Sequence, residues 1–159
     1  MGYTVKDQAV LKDNALRIIA IGSNKIRKGL DSKSHRYATL VHPQAVLSSS
    51  CKIGEGSVVF KGALVQASTE IGRHVIINTG SKVDHDCQIK DYVHIAPGCT
   101  LCGNIIIEES NFLGASTTVI PQIFIAKENM IAAGSTVNKD IKSNHKLWAG
   151  SPAMEKKDI

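Results

Sequence analysis

The chain has 159 residues, enough for about one domain; 43% of them are hydrophobic and only 4% are aromatic. Its formal net charge of +5 is modest, and Lys and Arg do not cluster with aromatic residues as on a nucleic-acid surface. The charge is typical of a solvated surface or of attraction for an anionic ligand. No apolar run is long enough to span a bilayer, and the polar N-terminus does not resemble a signal peptide. We therefore expect a cytoplasmic protein whose four cysteines form no disulfides.

The N-terminal residues predict a small α/β unit. Residues 15–22 (ALRIIAIG) are typical of a buried strand that ends at Gly22, and Ser23 is a suitable N-cap for a short helix through NKIRKGL. Strand, glycine turn and helix make up half of a nucleotide-binding βαβ unit, although one glycine after a strand is a weak signal. We interpret residues 31–38 as a linker.

A period of six residues begins at Val41 and decides the fold class. Every sixth residue from Val41 to Val137 is Val, Ile or Leu, and most residues four positions after these are small, from Ala45 to Ser135. One large and one small inward position in every six residues describes a short strand and a corner, and three such units close a triangular coil. Successive coils would stack through parallel strands about 4.8 Å apart. Residues 41–140 therefore predict five to six coils.

The same register predicts the environment of the cysteines. Cys51, Cys87 and Cys99 fall on the small inward track, so we expect them to be buried, which argues against a cysteine nucleophile or a thiolate metal site. Cys102 lies near a corner and is expected to be partly exposed.

The period is lost after Val137. We interpret residues 141–159 as a C-terminal tail with a turn at residues 150–153. The only tryptophan, Trp148, is expected to cap the open end of the coil stack, with a ligand contact as the alternative.

His85 is the main candidate for chemistry, because Asp84 and Asp86 flank it. A neighbouring carboxylate holds an imidazole in one tautomer and raises its basicity, as a general base requires. The alternative is a solvent-exposed polar corner. His94 follows nine residues later, half a circuit of an 18-residue coil, so the two histidines would share a site only between adjacent prisms. If functional, this spacing implies a trimer with sites between subunits.

The other histidines carry weaker signals. His35, His74 and His145 are predicted to lie at the surface, and His42 is predicted to cap the start of the coil. Two sets of small residues also stand out. Gly103 lies one coil above His85, where it leaves room for a ligand or serves a tight corner. The small residues around Gly114 and Ala115 would let a slender ligand approach the backbone.

The segment at residues 80–116, GSKVDHDCQIKDYVHIAPGCTLCGNIIIEESNFLGAS, closely resembles bacterial sugar acetyltransferases of the NeuD/PglD type. The resemblance covers about residues 40–155, and IIAIGSNKIRK is similar to the last strand and helix of the family's N-terminal domain. It implies an all-β fold, a left-handed parallel β-helix that departs from the usual right-handed crossover. Residues 39–140 would form the acyltransferase domain, and residues 1–38 a remnant of a nucleotide-sugar domain that normally has about 50 more residues.

The resemblance also implies roles for individual residues. His85 would be the general base and Asp86 would strengthen it, while His94 would contact acetyl-CoA near the thioester. Residues that would line the pantetheine channel between subunits are Gly103, Gly114 and Ala115. Gly22 matches a glycine that contacts the nucleotide-sugar. The expected activity is direct transfer of an acetyl group from acetyl-CoA to an amine or hydroxyl of a sugar or nucleotide-sugar, in a homotrimer without a metal or a membrane partner.

Two alternatives remain open. The shortened N-terminal region is compatible with a non-catalytic subunit that binds CoA or sugar as a scaffold. A metalloenzyme of the γ-carbonic anhydrase kind would need three histidines that converge on zinc, two of them close in sequence. His74, His85 and His94 are instead spaced by 11 and 9 residues.

Overall fold

The computed structural model describes residues 15–159, and within them the chain forms 21 strands and one helix. Strands β1 (Leu16–Arg17) and β2 (Arg36–Tyr37) pair in parallel, and helix α1 (Asn24–Leu30) connects them. The Ser23 hydroxyl accepts a hydrogen bond from the Ile26 amide (3.4 Å), so the expected N-cap is confirmed. Residues 1–14, whose polar composition led us to expect no signal peptide, lie outside the described residues.

The N-terminal strand is shorter and less buried than its sequence predicts. Only Leu16–Arg17 pairs as a strand, and the Leu16 side chain is 60% exposed. A two-stranded sheet covers little of its own surface, so the predicted buried strand over residues 15–22 is wrong. The interpretation of residues 31–38 as a linker is also incomplete, because β2 lies within this segment and Tyr37 is buried.

The repeat region forms 17 strands of two residues each. In chain order they are β3 (Leu40–Val41), β4 (Val46–Leu47), β5 (Lys52–Ile53), β6 (Val58–Val59), β7 (Leu64–Val65), β8 (Glu70–Ile71), β9 (Ile76–Ile77), β10 (Lys82–Val83), β11 (Gln88–Ile89), β12 (His94–Ile95), β13 (Thr100–Leu101), β14 (Ile106–Ile107), β15 (Phe112–Leu113), β16 (Thr118–Val119), β17 (Phe124–Ile125), β18 (Met130–Ile131) and β19 (Thr136–Val137).

These strands stack into three parallel sheets, the faces of a triangular coil. The first face contains β3, β6, β9, β12, β15 and β18, the second β4, β7, β10, β13, β16 and β19, and the third β5, β8, β11, β14 and β17. From β3 to β16, each strand pairs with the strand 18 residues later, as Ile95 does with Leu113. The expected left-handed parallel β-helix is confirmed.

The aliphatic track fills the interior. From Val59 to Val137 its members are at most 4% exposed, and burial of each such side chain contributes about 1.5–3 kcal/mol. Val41 is 42% exposed because it belongs to the first coil, at the open end of the stack. Cys51 lies in the same coil and is only half-buried, so the prediction of a buried Cys51 is wrong for the same reason.

The other cysteines follow their predicted environments: Cys87 and Cys99 are buried and Cys102 is half-buried. The two buried thiols belong to a hydrogen-bonded ladder that explains the composition of the small track. Its polar side chains donate to the carbonyl oxygen of the residue 15 positions later, as Ser57 does to Gly72 (2.8 Å). The same bond joins Cys87 to Cys102 (3.2 Å). The small track is polar because its side chains satisfy backbone carbonyls at the corners.

The C-terminal residues extend the stack beyond the hexapeptide period. Strand β20 (Lys146–Ala149) pairs in parallel with β18, and β21 (Met154–Asp158) returns antiparallel to β20. Trp148 occupies the next inward position above Ile131 and is buried, so its prediction as the cap of the coil stack is confirmed. Across residues 15–159 we find no helix with the length and apolar character needed to cross a membrane.

Candidate active site

The corner between the second and third faces carries the predicted general base. The His85 Nδ1 atom lies 2.7 Å from the Asp86 Oδ2 atom, and the His85 amide donates to Asp84 Oδ1 (2.8 Å). Asp86 has a left-handed backbone (φ 58°), which the hydrogen bond from its amide to the Ala67 carbonyl (3.0 Å) stabilises. The β-helix corner therefore fixes the carboxylate beside the imidazole.

This arrangement defines the protonation of the imidazole. Because a carboxylate accepts hydrogen bonds, Nδ1 carries the proton in the neutral ring and Nε2 presents a lone pair. The hydrogen bond to Asp86, and next the charge of Asp84, raise the pKa of His85 above its ordinary value. The His85 side chain is 57% exposed, so Nε2 is accessible to a substrate.

Gly103 lies one coil above His85, as predicted. The His85 imidazole fills the space into which a side chain at residue 103 would project. A Cβ atom added at Gly103 would lie 2.7 Å from both Cε1 and Nε2 of His85. The missing side chain at Gly103 therefore makes room for the His85 imidazole. The sequence spacing still identified the right neighbour.

The second group of predicted residues lies on the first face, beneath the N-terminal unit. The His94 side chain projects outward from β12, and its Nδ1 atom donates to the Gly22 carbonyl oxygen (3.1 Å). Its Nε2 atom lies 3.3 Å from Asn78 Nδ2, and its ring meets Phe112 edge-on at 5.1 Å. Burial lowers the pKa of His94, so this imidazole is neutral at pH 7. Gly22 and His94, each predicted to bind a ligand, are thus in contact within one protomer.

A cavity of about 840 Å³ opens over Gly22 and His94. Helix α1 contributes polar and cationic side chains to its lining, and strands of the first face contribute His94 and apolar side chains. Residues of the C-terminal segment also line the cavity. Representative lining residues are Asn24, Lys25, Phe112, Met130 and His145. His145 is exposed, as predicted, and its Nε2 atom lies 2.9 Å from Glu128 Oε2. The volume is ample for part of a nucleotide-sized ligand.

The prediction that His74 lies at the surface is wrong. Its side chain is fully buried, edge-on to Tyr37 at 4.4 Å and parallel to Tyr92 at 5.5 Å. Its Nε2 atom lies 3.2 Å from Asp31 Oδ1. Burial lowers the pKa of His74, although the nearby Asp31 charge opposes this effect. The N-terminal unit packs over this corner, and the ring also lies against Gly56 and Tyr92 of the adjacent coils.

The three histidines of the zinc alternative therefore occupy separate environments: His74 in the buried cluster, His85 on an exposed corner and His94 under the N-terminal unit. Within residues 15–159, no three His, Cys, Asp or Glu side chains form a group suited to a metal ion. One protomer does not form the site that a γ-carbonic anhydrase requires.

Comparison with known proteins places these features in a family. Residues 68–103 match the family described as bacterial transferase hexapeptide (six repeats). A histidine-to-asparagine mutant of perosamine N-acetyltransferase from Caulobacter crescentus, solved in complex with CoA and GDP-perosamine, is 36% identical. It superposes with a TM-score of 0.83 over 89% of this chain and 69% of that one. This chain belongs to the NeuD/PglD-type sugar acetyltransferases.

Two further relatives agree. The acetyltransferase domain of PglB from Neisseria gonorrhoeae FA1090, in complex with acetyl coenzyme A, is 35% identical with a TM-score of 0.84, over 87% of this chain and 69% of that one. UDP-N-acetylbacillosamine N-acetyltransferase from Bacillus subtilis (strain 168) is 42% identical over 36% of this chain. The chain spans about two thirds of the two solved structures, and its match to the Bacillus protein covers 31% of that protein.

In this member of the family, Gly114 and Ala115 lie at the turn that follows β15, and neither lines the cavity over His94. Gly114 is buried against the next coil, and a Cβ atom there would lie 2.5 Å from the Ala133 amide nitrogen and 2.8 Å from the Ile131 carbonyl oxygen. Gly114 is therefore required for close stacking of two backbones, whatever ligand approaches the turn.

Gly114→Ala is expected to lower the free energy of unfolding by about 1–3 kcal/mol, because backbone cannot move aside as a side chain can. Gly29→Ala is the matched control, since a methyl group added there in α1 meets no atom within 4 Å. Chemical denaturation measures both. Equal stability of the two variants would contradict the packing argument.

The sequence analysis did not single out two residues that hold the site together. Asn24 donates to the carbonyl oxygens of Ser110 (3.1 Å) and Asn111 (2.9 Å), which ties α1 to the β-helix. Arg27, one helical turn later, is buried and also bonds to Asn24 Oδ1 (2.9 Å). The three-residue spacing, which places both side chains on one side of a short helix, was the available signal.

Proposed function

We propose that this chain is the subunit of an acetyltransferase that moves the acetyl group of acetyl-CoA to the amine of a nucleotide-linked amino sugar. The observation that carries the proposal is the His85–Asp86 pair, with Nδ1 held by a carboxylate and Nε2 free at an exposed corner. The relatives support the substrates, since the Caulobacter enzyme binds CoA and GDP-perosamine and the Neisseria domain binds acetyl-CoA. The two relatives that are named as N-acetyltransferases, from Caulobacter and Bacillus, favour an amine over a hydroxyl acceptor.

In the proposed reaction, the acceptor nitrogen attacks the thioester carbonyl carbon while His85 Nε2 takes the proton from that nitrogen. The resulting tetrahedral intermediate collapses when its C–S bond breaks. The CoA sulfur leaves with the electron pair and receives the proton from His85, and an amide remains on the sugar. No acyl-enzyme is formed, which agrees with the burial of Cys87 and Cys99.

The oxyanion of the intermediate needs a hydrogen-bond donor, and such a donor can contribute a factor of about 10²–10³ to kcat. Gly103 is a suitable one. Its carbonyl accepts from Gln122, but in the described part of the chain its amide donates to no acceptor, and it lies beside the His85 ring. His94 is less suitable, because its Nδ1 proton is already bound by the Gly22 carbonyl.

The proposed site is completed by a neighbouring subunit. His85 lies on the corner between the second and third faces, whereas His94 lies on the first face and contacts Gly22 of the β1–α1 loop. Side-by-side packing of three prisms around a threefold axis would bring the His85 corner of one subunit to the His94 cavity of the next. Light scattering tests this directly: the expected mass is three times the 17.1 kDa of the chain. A monomer at concentrations that support turnover would contradict it.

The activity itself is tested by release of CoA from acetyl-CoA in the presence of GDP-perosamine or a UDP-linked amino sugar, with the corresponding hydroxyl sugar as control. We expect turnover only with an amine. Binding of acetyl-CoA without turnover of any acceptor would contradict the proposal and favour the scaffold role.

The Asp86→Asn variant is expected to move the acidic limb of the pH–rate profile to lower pH. Only the neutral imidazole accepts a proton, so kcat/KM rises as the pH rises through the pKa of His85. The hydrogen bond to Asp86 is the main cause that raises this pKa, so its loss lowers the pKa. The maximal rate should also fall, because the Asn amide can present either its oxygen or its NH2 group to Nδ1 and no longer holds the ring in one tautomer. Asp84→Asn, which removes only a nearby charge, should shift the limb less. An unchanged or upward-shifted limb in Asp86→Asn would contradict the assignment.

A further inference from the structure

Arg27 is the most deeply buried charged side chain among the described residues, with 1% exposure. Its guanidinium makes five hydrogen bonds. Nε donates to the His74 carbonyl (2.8 Å), Nη1 to the carbonyls of Ile21 (2.9 Å) and Gly22 (3.2 Å), and Nη2 to Asn24 Oδ1 (2.9 Å) and the Tyr92 carbonyl (2.8 Å). Every partner is a carbonyl or amide oxygen, and none is a carboxylate.

Burial of a cation without a counter-charge is unfavourable, so its retention calls for a compensating role. Burial lowers the pKa of Arg27 to about 10, which still leaves the guanidinium charged at pH 7. Its planar fork can hold several carbonyl oxygens at fixed angles, which an ammonium group cannot do. The guanidinium thus donates to carbonyl oxygens of the β1–α1 loop and of two coils of the β-helix.

One of these carbonyls connects Arg27 to the cavity. The Gly22 oxygen accepts from Arg27 Nη1 (3.2 Å) and from His94 Nδ1 (3.1 Å). A carbonyl oxygen has two lone pairs, so it can accept both bonds. The bond from His94 in turn determines which ring nitrogen carries the proton, and leaves Nε2 toward Asn78.

We propose that Arg27 is a positioning residue for acetyl transfer, which fixes the Gly22 carbonyl and, through it, the tautomer and orientation of His94 in the cavity. The expected effect on turnover rests on the proposed function. The link from Arg27 through Gly22 to the tautomer of His94 does not, because it follows from their hydrogen bonds. Arg27 touches no reacting atom.

Arg73 provides a matched comparison. It also ties the N-terminal unit to the β-helix, since its Nη1 atom lies 3.4 Å from Asp31 Oδ2 and its Nη2 atom 3.0 Å from Glu55 Oε1. These bonds involve neither Gly22 nor His94. An Arg73→Met variant should therefore weaken the same contact between the two parts of the chain without disturbing the cavity.

The experiment compares Arg27→Met, Arg27→Lys and Arg73→Met in the full chain, by thermal denaturation, by steady-state kinetics and by ¹⁵N NMR of the histidine rings. Arg27→Met is expected to lower kcat by about 10–100-fold, since misplacement of about 1 Å at a reacting group costs about a hundredfold. Its His94 signals should change from a single Nδ1-protonated tautomer to a mixture. Arg27→Lys should lie in between, and Arg73→Met should lower Tm but keep kcat within about twofold.

The outcomes separate this inference from the proposed function. If Arg27→Met and Arg27→Lys lose stability like Arg73→Met but keep both kcat and the His94 tautomer, Arg27 is only a structural tie and the inference is wrong. If the wild-type chain turns over no amino sugar, the proposed function fails, and the NMR comparison alone decides the link from Arg27 to His94. If Arg27→Met does not fold, Arg27→Lys carries the same comparison.

Discussion

His85→Asn is expected to lower kcat by about 10²–10⁴-fold while the stability of the chain stays unchanged, because a positioned general base contributes about that factor. The imidazole is exposed, and among residues 15–159 its ring forms a hydrogen bond with Asp86 alone. Its removal therefore leaves no buried cavity, and the backbone bond from residue 85 to Asp84 is retained. Turnover of acetyl-CoA with an amino sugar measures kcat, and chemical denaturation measures stability.

His42→Asn serves as the control for this substitution. His42 is also an exposed histidine at a turn of the β-helix, but it lies in the first coil, away from Asp86 and the cavity. Its kcat should equal that of the wild type. A His85→Asn enzyme that remains as active as His42→Asn would show that His85 is not the base.

Mixed oligomers of His85→Asn and His94→Asn subunits are expected to regain activity that neither variant has alone. In the proposed trimer each site takes His85 from one subunit and His94 from the next. In an equal, random mixture about a quarter of the sites receive both native histidines, and the activity should approach a quarter of the wild-type value. The mixture is prepared by unfolding and refolding, or by coexpression, and its composition is checked by native mass spectrometry.

A mixture of His85→Asn with His85→Ala is the control, since it contains no native His85 and should stay inactive. Confirmed subunit exchange without recovery in the His85/His94 mixture would place both histidines in a site within one subunit. This result would overturn the shared site even if the protein is a trimer.

The sequence predicted the β-helix well because its signal is local and repeated. An aliphatic side chain at every sixth position points inward whenever the strand and corner geometry repeats. Every sixth residue from Val59 to Val137 is therefore buried. The His85–Asp86 contact was predictable for the same reason, as neighbours on one corner meet without help from distant residues. The resemblance to a family supplied the chemistry, which the period alone does not carry.

The predictions that were wrong or incomplete depend on contacts between residues far apart in the chain. His74 is buried because Tyr37 and Asp31 of the N-terminal unit pack against it. Its ring also lies against Gly56 and Tyr92, the equivalent corner residues of the adjacent coils. Nothing in the hexapeptide pattern indicates which corner a separate unit will cover. The extension of the stack through β20 was missed because Trp148 follows Ile131 by 17 residues rather than 18, which breaks the count at the end of the stack.

Arg27 was missed because charged residues are expected at the surface. Its bonds go to carbonyl oxygens that lie 5 to 65 residues away in the chain, and a backbone carbonyl has no signature in the sequence. Buried backbone partners of this kind become visible only when the chain is folded.

Because residues 18 positions apart pair along most of the stack, the length of an insertion or deletion decides how the β-helix accommodates it. An insertion of one residue would have to be absorbed where it occurs, as a bulge or a wider corner, because the later aliphatic residues keep their own six-residue spacing. A duplication or loss of 18 residues would instead preserve the pairing between adjacent coils. It would change only the height of the prism, by about 4.8 Å for each coil. Proteins of this architecture can therefore vary in length coil by coil above the His85 corner while that corner keeps its form.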